Sequence, residues 1–413
     1  MVRVCDAIMG SGKSMATITY LREHPDDRII YVTPFLDEAK RIADACPGIG
    51  LAEPSNKIRE YDFRKTEHAA ALIKEGRSIV TTHQGFKYYT PEILNDIREM
   101  GYTLFIDESI DNLDSCTTHK DDLALAVDSG RVTYENGIYT LASDKYHGVA
   151  LHDFFLMMHS RNLTKVTGTG GEMLFYWDLP PDLIMAFRDV YVMTYLFRGQ
   201  SLYSMFRMHE IPFTYIGVEK DQNGVYRFCD GPSALPPYTR DIKDKIHLLD
   251  NDRMNDIGAE RTALSVTWLD RNPGSIQRLQ KNMSNYFNNV CRGIPAGNNL
   301  WSSYKKYKTA LSGKGYSRSF LNFNTRATNN YRDRDRLAYA VNIYMNVGQK
   351  LFYKNNGIEV DEEMYALSTM VQWIWRSAIR DGSEIYLYLP SERMRALLTD
   401  WMDVVSKGGT MIE

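Results

Sequence analysis

The chain is poor in cysteine, with five in 413 residues, at Cys5, Cys46, Cys116, Cys229 and Cys291. No two of them form a C-x-x-C pair, so neither a disulfide framework nor a thiolate metal site is expected, and the spacing fits a reducing compartment. There is no uninterrupted apolar run of about 18 residues, which excludes a membrane-spanning helix. An excess of charge is missing too. A formal net charge of −3 gives the whole molecule no attraction for nucleic acid or membrane, so anion binding must come from local patches. Internal repeats and low-complexity segments are absent. What remains is ordinary globular composition, 44% hydrophobic and 24% charged, with aromatics at 12% and 27 tyrosines. The length suits two domains.

The most informative stretch lies at the start. Val2-Arg3-Val4-Cys5-Asp6 reads as a short strand that runs into Ala7-Ile8-Met9-Gly10-Ser11-Gly12-Lys13-Ser14, followed by a helical segment from Met15 to Arg22. The pattern is G-x-x-x-x-G-K-[ST] with Ala7 in place of the first glycine. Such a loop aims backbone N–H groups at phosphate oxygens. Gly10 and Gly12 let the backbone approach the anion, with Met9 and Ser11 as the other loop members. Lys13 supplies a point charge for the β- and γ-phosphates, and Ser14 supplies a hydroxyl for Mg²⁺. The expected cofactors are ATP and Mg²⁺. The strand begins at residue 2, which is read as leaving no signal peptide and no upstream base-reading glutamine, so loose purine specificity is expected.

Tyr102-Thr103-Leu104-Phe105-Ile106-Asp107-Glu108-Ser109 is an apolar strand that ends in two acids. An Asp at such a strand end can hold Mg²⁺ beside Ser14, and the adjacent Glu can polarise the attacking water. The separation from Lys13 leaves room for two or three βα units of a parallel sheet.

Between these segments the chain alternates strand and helix. Strands are expected at 28–33 and 77–82, with helices at 37–45, 65–75 and 90–100, the last begun by Thr90-Pro91. Residues 111–180 break the rhythm. An Asn136-Gly137 hairpin within them, at 131–141, is a wedge for a duplex or, more plainly, an ornament on the sheet. Residues 190–195 return to a buried strand. A second Asn-Gly hairpin spans 218–228, and Gly and Pro punctuate 231–237. The expected division is 1–205 and 206–413, in an α/β fold of two tandem parallel-sheet domains. In the second half, strands are expected at 246–249, 320–323 and 384–389, and helices at 276–291, 335–345, 362–380 and 391–405.

Two patterns in the second half carry chemistry. Gln372, Arg376 and Arg380 recur at i, i+4 and i+8, which on a helix places all three on one face. Cations there could stabilise transition-state charge on a phosphate when a cleft closes. Between Lys305 and Arg336 nine basic side chains, among them Lys305, Lys306 and Lys308, face only two acids, Asp333 and Asp335. Trp301, Tyr304, Tyr307, Tyr316 and Tyr331 are interleaved. That composition suits phosphate contacts and base stacking, and equally suits a solvated face.

In these motifs the chain resembles the superfamily 2 helicases and translocases, and looks most like small phage-encoded members. Ala7 to Ser14 matches their motif I. Thr33-Pro34-Phe35 resembles motif Ia, and Thr81-Thr82-His83-Gln84 the segment after it; both imply contacts to a nucleic-acid backbone, through Thr33, Pro34, Phe35, Thr82 and His83. Asp107-Glu108-Ser109-Ile110 is similar to the DExx motif. Met193-Thr194-Tyr195 resembles motif III, which implies that Thr194 links hydrolysis to strand binding. Asn324-Thr325-Arg326-Ala327-Thr328-Asn329 resembles motif V, with Arg326, Thr328 and Asn329 as strand contacts. Gln372 to Arg380 resembles motif VI, with Trp375 replacing its glycine and the second arginine one residue late. The resemblance implies two RecA-like P-loop domains with inserted β-hairpins and ATP·Mg²⁺ in the cleft between them. It implies movement along a nucleic acid, DNA favoured over RNA, in phage replication or recombination. Other replication proteins are possible partners, no membrane is involved, a monomer is favoured, and the location is the cytoplasm, that of the host for a viral chain. A translocase that never separates strands, a genome-packaging motor and a nucleotide-regulated binding module remain the alternatives.

Overall fold

The computed structural model describes all residues except 62–63, 136–137, 143–162, 170–171, 326–329 and 412–413. Contacts divide the chain into two units. One comprises Met1–Asp6, Gly12–Ser233 and Asn346–Val360, the other Ala7–Ser11, Ala234–Met345 and Asp361–Glu413.

The first unit begins with β1 (Val2–Asp6), β2 (Ile29–Thr33), β3 (Ile79–Thr82) and β4 (Thr103–Asp107), joined by helices that include Lys13–Glu23, Leu36–Ala45, Lys65–Lys74 and Pro91–Met100. An insertion follows, built from β5 (Leu113–His119), β6 (Val132–Glu135), β7 (Ile138–Leu141), β8 (Leu163–Thr169) and β9 (Glu172–Asp178). The chain then returns through β10 (Asp189–Thr194), β11 (Phe213–Lys220) and β12 (Tyr226–Asp230). The main sheet has the order β12-β11-β1-β10-β4-β2-β3, parallel except for β12. Strands covered on both faces must be apolar throughout, and β2, Ile-Ile-Tyr-Val-Thr, is buried at all five positions. Part of the tyrosine content is spent in this core, where Phe105 stacks on Tyr191 at 4.8 Å and Tyr191 on Phe228 at 5.3 Å.

The insertion forms a separate antiparallel sheet of order β5-β9-β8-β7-β6. Its β6–β7 pair is the expected hairpin, although Asn136-Gly137 lies outside the described residues. A helix from late in the chain, Val347–Asn355, docks back on this unit. The Tyr353 hydroxyl donates to Asn112 Oδ1 at 3.1 Å and to the Ser201 carbonyl at 3.2 Å.

The division expected at 205 is corrected here. β11 pairs in parallel with β1, from Val2↔Phe213 to Cys5↔Ile216, so the 218–228 hairpin completes the first sheet. The long stretch of the first unit therefore runs to Ser233, within the Gly and Pro punctuation of 231–237.

The second unit contains a parallel sheet of order β13-β16-β15-β14, from β13 (Ile246–Leu248), β14 (Asn299–Ser302), β15 (Arg336–Tyr339) and β16 (Ile385–Tyr388). Helices Pro273–Asn285, Glu362–Ile374 and Glu392–Ser406 accompany it. Two expectations fail. Residues 335–345 form β15 and an extended segment rather than a helix. Leu337, Ala338, Tyr339, Ala340 and Val341 are all fully buried, which a helix with one apolar stripe does not do and a doubly covered strand does. Residues 320–323 provide only a single bridge, Trp301↔Phe320, and β14 takes the strand position instead.

Trp301 of β14 is fully buried, edge-on to Tyr316 at 5.7 Å and Phe320 at 4.8 Å, with its indole N–H donating to the Tyr316 carbonyl at 2.9 Å. Trp301→Ala is expected to destabilise the protein by about 3–5 kcal/mol in urea unfolding followed by circular dichroism. A loss below about 1 kcal/mol would place Trp301 outside the core.

Candidate nucleotide site and nucleic-acid surface

Three neighbouring parallel strands, β1, β10 and β4, end together. Asp6 is level with Thr194, and Met193 with Asp107. Ligands of open α/β sheets bind at such carboxyl ends. The phosphate loop leaves β1 here and the Asp107-Glu108 pair leaves β4, so the two halves of the sequence-predicted site share one ledge.

The ledge is held by hydrogen bonds absent from the sequence motifs. The buried Asp6 carboxylate accepts the Leu196 N–H at 2.7 Å and the Phe197 N–H at 2.8 Å, which joins the end of β1 to the exit of β10. The Glu108 N–H donates to the Met193 carbonyl at 3.0 Å, joining β4 to β10. Both Glu108 (φ 58°) and Leu196 (φ 56°) are left-handed non-glycine residues, a strained geometry that persists where the surroundings fix it. Thr194 is buried and its hydroxyl donates to Gln200 Oε1 at 2.7 Å. His83, assigned to strand contact in the sequence, sits by its ring nitrogen 3.0 Å from the Asp107 carbonyl oxygen.

The electrostatics follow from this crowding. Burial lowers the Lys13 ammonium, while Cys5, Asp6, Asp107 and Glu108 draw it back up. Burial pushes the Asp107 carboxyl up to about 7, with Glu108 and Glu38 adding to the shift and Tyr31 and Arg41 opposing it. Arg41 itself is bound by Glu38, Nε to Oε2 at 2.9 Å. Burial also raises the Asp6 carboxyl, against its two amide donors and Lys13.

The residues fit a polyphosphate with a divalent cation. Gly10 (φ 80°) and Gly12 (φ 96°) are left-handed, and the helix from Lys13 has neither a side-chain cap nor an acid in its first turn. The buried Ser11 hydroxyl has no hydrogen-bond partner. In the second unit the Tyr238 hydroxyl donates to the Met9 carbonyl. Among the described residues no group of three or more His, Cys, Asp or Glu could hold a metal. One or two carboxylates completed by substrate phosphates is the way Mg²⁺ is usually held.

The motif VI helix is corrected. It ends at Ile374, where the Ser377 hydroxyl donates to the Ile374 carbonyl at 2.6 Å, and residues 378–381 form a separate 3₁₀ turn. Gln372 is half-buried and bonded to Ser368, Arg376 is buried, and Arg380 is exposed, so the three do not share a helix face. The basic segment is also partly redrawn. Lys305 and Lys308 are exposed, but Lys306 is paired with Asp270 at 2.6 Å, Arg334 with Asp333 at 3.1 Å and Arg336 with Asp335 at 3.0 Å. Trp301, Tyr307 and Tyr316 belong to the core rather than to a stacking surface. Arg326, Thr328 and Asn329 lie outside the described residues. Of the first-unit contacts, Thr33 is buried, Pro34 and Thr82 are half-buried, and Phe35 is 43% exposed at the end of β2. The Thr82 hydroxyl accepts from the Gly85 N–H at 3.2 Å.

Residues 240–402 match the family model described as the YonV C-terminal Rossmann-like domain. Over 411 residues the chain is 33% identical to the SPbeta prophage-derived uncharacterized protein YonV of Bacillus subtilis (strain 168), covering 97% of this chain and 98% of that protein. The chain belongs to the YonV family. The YonV Rossmann-like domain coincides with the sheet β13 to β16. Among solved structures, Xpd4 of S. tokodaii aligns over 97% of this chain and 93% of its own, with a TM-score of 0.50 and 12% identity, which shows a shared fold. One named XPD_Helicase aligns at a TM-score of 0.42 and 10% identity over 97% and 95% of the two chains, too loose to add to that. This member of the YonV family thus has a mixed α/β architecture of parallel sheets, a fold it shares with Xpd4.

Sequence reasoning missed Asp6, Gln200 and the Glu38–Arg41 pair beside Asp107. Asp6 left a signal, an acid closing an apolar strand directly before a glycine-rich loop; the others left none. Asp6→Asn keeps one acceptor oxygen for two N–H donors and is expected to cost about 1–3 kcal/mol in urea unfolding; no loss would remove Asp6 as the tie. Without divalent cation, the raised Asp107 carboxyl binds its proton more tightly in the folded than in the unfolded state. Its contribution is therefore complete below pH 3.8 and is lost as pH rises toward about 7. Asp107→Asn is expected to flatten that decline in a pH series of melts; an identical slope would refute the burial of the carboxyl.

Proposed function

We propose that the protein is an ATP-dependent nucleic-acid motor of the helicase or translocase kind, acting on DNA in preference to RNA. The observation that carries this is the meeting of Lys13 with Asp107 and Glu108 where β1, β10 and β4 end together. Bound Mg²⁺·ATP would supply the phosphoanhydride whose hydrolysis drives movement. Lys13 and the loop amides would hold phosphate charge, and Ser14 and Asp107 would hold the metal. Glu108 would take the proton of the attacking water, its backbone being fixed to Met193. Thr194 acts through Gln200 and is a positioning residue. Arg376 and Arg380 are the candidate cations of the second unit for transition-state charge.

The nucleic-acid reading is supported by the helicase-like fold and by Phe35, Lys305 and Lys308 at the surface. Contacts of that kind reach phosphates and stack bases without reading sequence. The prophage origin of the YonV relative supports a role in phage replication or recombination.

Hydrolysis of ATP is expected to rise with single-stranded DNA, double-stranded DNA or RNA, and the rise to weaken with salt. Lys13→Ala is expected to abolish turnover; full activity in that variant would refute the assignment. Hydrolysis that no nucleic acid stimulates would instead favour a nucleotide-regulated binding module, and strand displacement separates a helicase from a translocase.

A further inference from the structure

The β11–β12 hairpin lays Tyr226 on the phosphate loop. A Cβ built on Gly12 would lie 2.2 Å from Tyr226 Cδ1 and 2.4 Å from Cε1, so the ring occupies the side that this glycine leaves open. Glycine stands in such loops so that backbone and polyphosphate can approach closely. Ring and phosphate therefore contend for the same space. The hairpin is anchored around the ring. Arg227 Nη1 bonds Glu23 Oε2 at 2.5 Å on the helix that follows the loop, and Ser233 Oγ accepts the Val218 N–H at 2.8 Å. The Lys220 ammonium stands 5.4 Å from the ring centroid. The ring itself is only half-buried, and Val225 and Arg227 beside it are exposed, so it has solvent to turn into.

We propose that Tyr226 gates the phosphate loop: its ring and the polyphosphate of a nucleotide exclude one another at Gly12. This rests on the nucleotide reading above. Nucleotide entry then expels the ring, and nucleotide affinity is set partly by how often the ring is away. The exclusion acts on phosphate rather than base, so it is blind to the nucleobase.

The test titrates Mg²⁺·ATP and inorganic tripolyphosphate, by calorimetry, into the wild-type chain, Tyr226→Ala and Tyr226→Phe. A ring in place about nine-tenths of the time weakens apparent affinity about tenfold. Tyr226→Ala is thus expected to bind both ligands about tenfold tighter, and Tyr226→Phe, which keeps the ring, to stay within about twofold of wild type. In a chain carrying 3-fluorotyrosine at position 226, tripolyphosphate is expected to shift the fluorine resonance, a readout that needs no truncated side chain. Weaker ATP binding by Tyr226→Ala with unchanged tripolyphosphate binding would make the ring a platform for the base and overturn the gate. Unchanged affinity for both ligands, or a fluorine resonance indifferent to tripolyphosphate, would overturn it too while leaving the nucleotide reading intact. If neither ligand binds any of the three proteins, the nucleotide reading fails and the gate fails with it.

Discussion

The candidate site depends on one buried carboxylate. Asp6 closes β1 and accepts two consecutive amides, Leu196 and Phe197, from the segment that leaves β10. A buried charge is tolerated only when it is bonded in this way. The bond fixes the neighbour of the phosphate loop, and β10 in turn fixes β4 through the Glu108 amide on Met193. Left-handed backbone at Leu196 and Glu108 costs about 1–2 kcal/mol at each residue. The hydrogen bonds to Asp6 and Met193 offset that cost. The three strand ends hence form a ledge whose parts do not adjust independently.

The first half of the fold was legible because its signals are local and agree with one another. Strands 2–6, 28–33, 77–82, 102–107 and 190–195 are apolar runs closed by a glycine, a proline or a polar residue, and each appears within about two residues of its expected place. The failures have physical causes. Residues 335–345 open with two charged side chains and then an unbroken apolar run, Leu337 to Val341, which periodicity alone does not assign to strand or buried helix, and only burial on both faces identifies β15. The 362–380 helix reads continuously, yet the Ser377 side chain takes the Ile374 carbonyl and breaks it. The i, i+4, i+8 register of Gln372, Arg376 and Arg380 was therefore a property of an assumed helix. Of the site, the loop and the acid pair were readable, since each is a motif with its own chemistry. The ties between them join residues up to 191 positions apart and have no sequence signature.

The basic segment shows why charge counting overstates a binding surface. Nine cations within 32 residues suggest a nucleic-acid track, yet several are matched by carboxylates, and Asp270, which takes Lys306, lies outside the segment. Three of the interleaved aromatics fill the core. Exposed Lys305 and Lys308 remain available to phosphate. Such a surface would track a backbone weakly at each contact, which suits release and rebinding better than a fixed complex.

The ledge continues into the rest of the first unit by hydrogen bonds. Thr194 donates to Gln200, whose amide donates to the Tyr195 carbonyl at 2.8 Å. The next residue, Ser201, accepts from Tyr353 on the returning helix, and Tyr353 also bonds Asn112 at the start of the insertion. Asn112 donates to Asp178 at 2.9 Å, which His209 approaches at 2.6 Å. Buried polar chains of this kind permit few arrangements, because every member loses a partner if one moves alone. A shift at the end of β10 would thus be felt at both ends of the antiparallel insertion, β5 and β9. That gives the insertion and the returning helix a physical reason to be part of the same unit as the site, beyond the apolar area they bury.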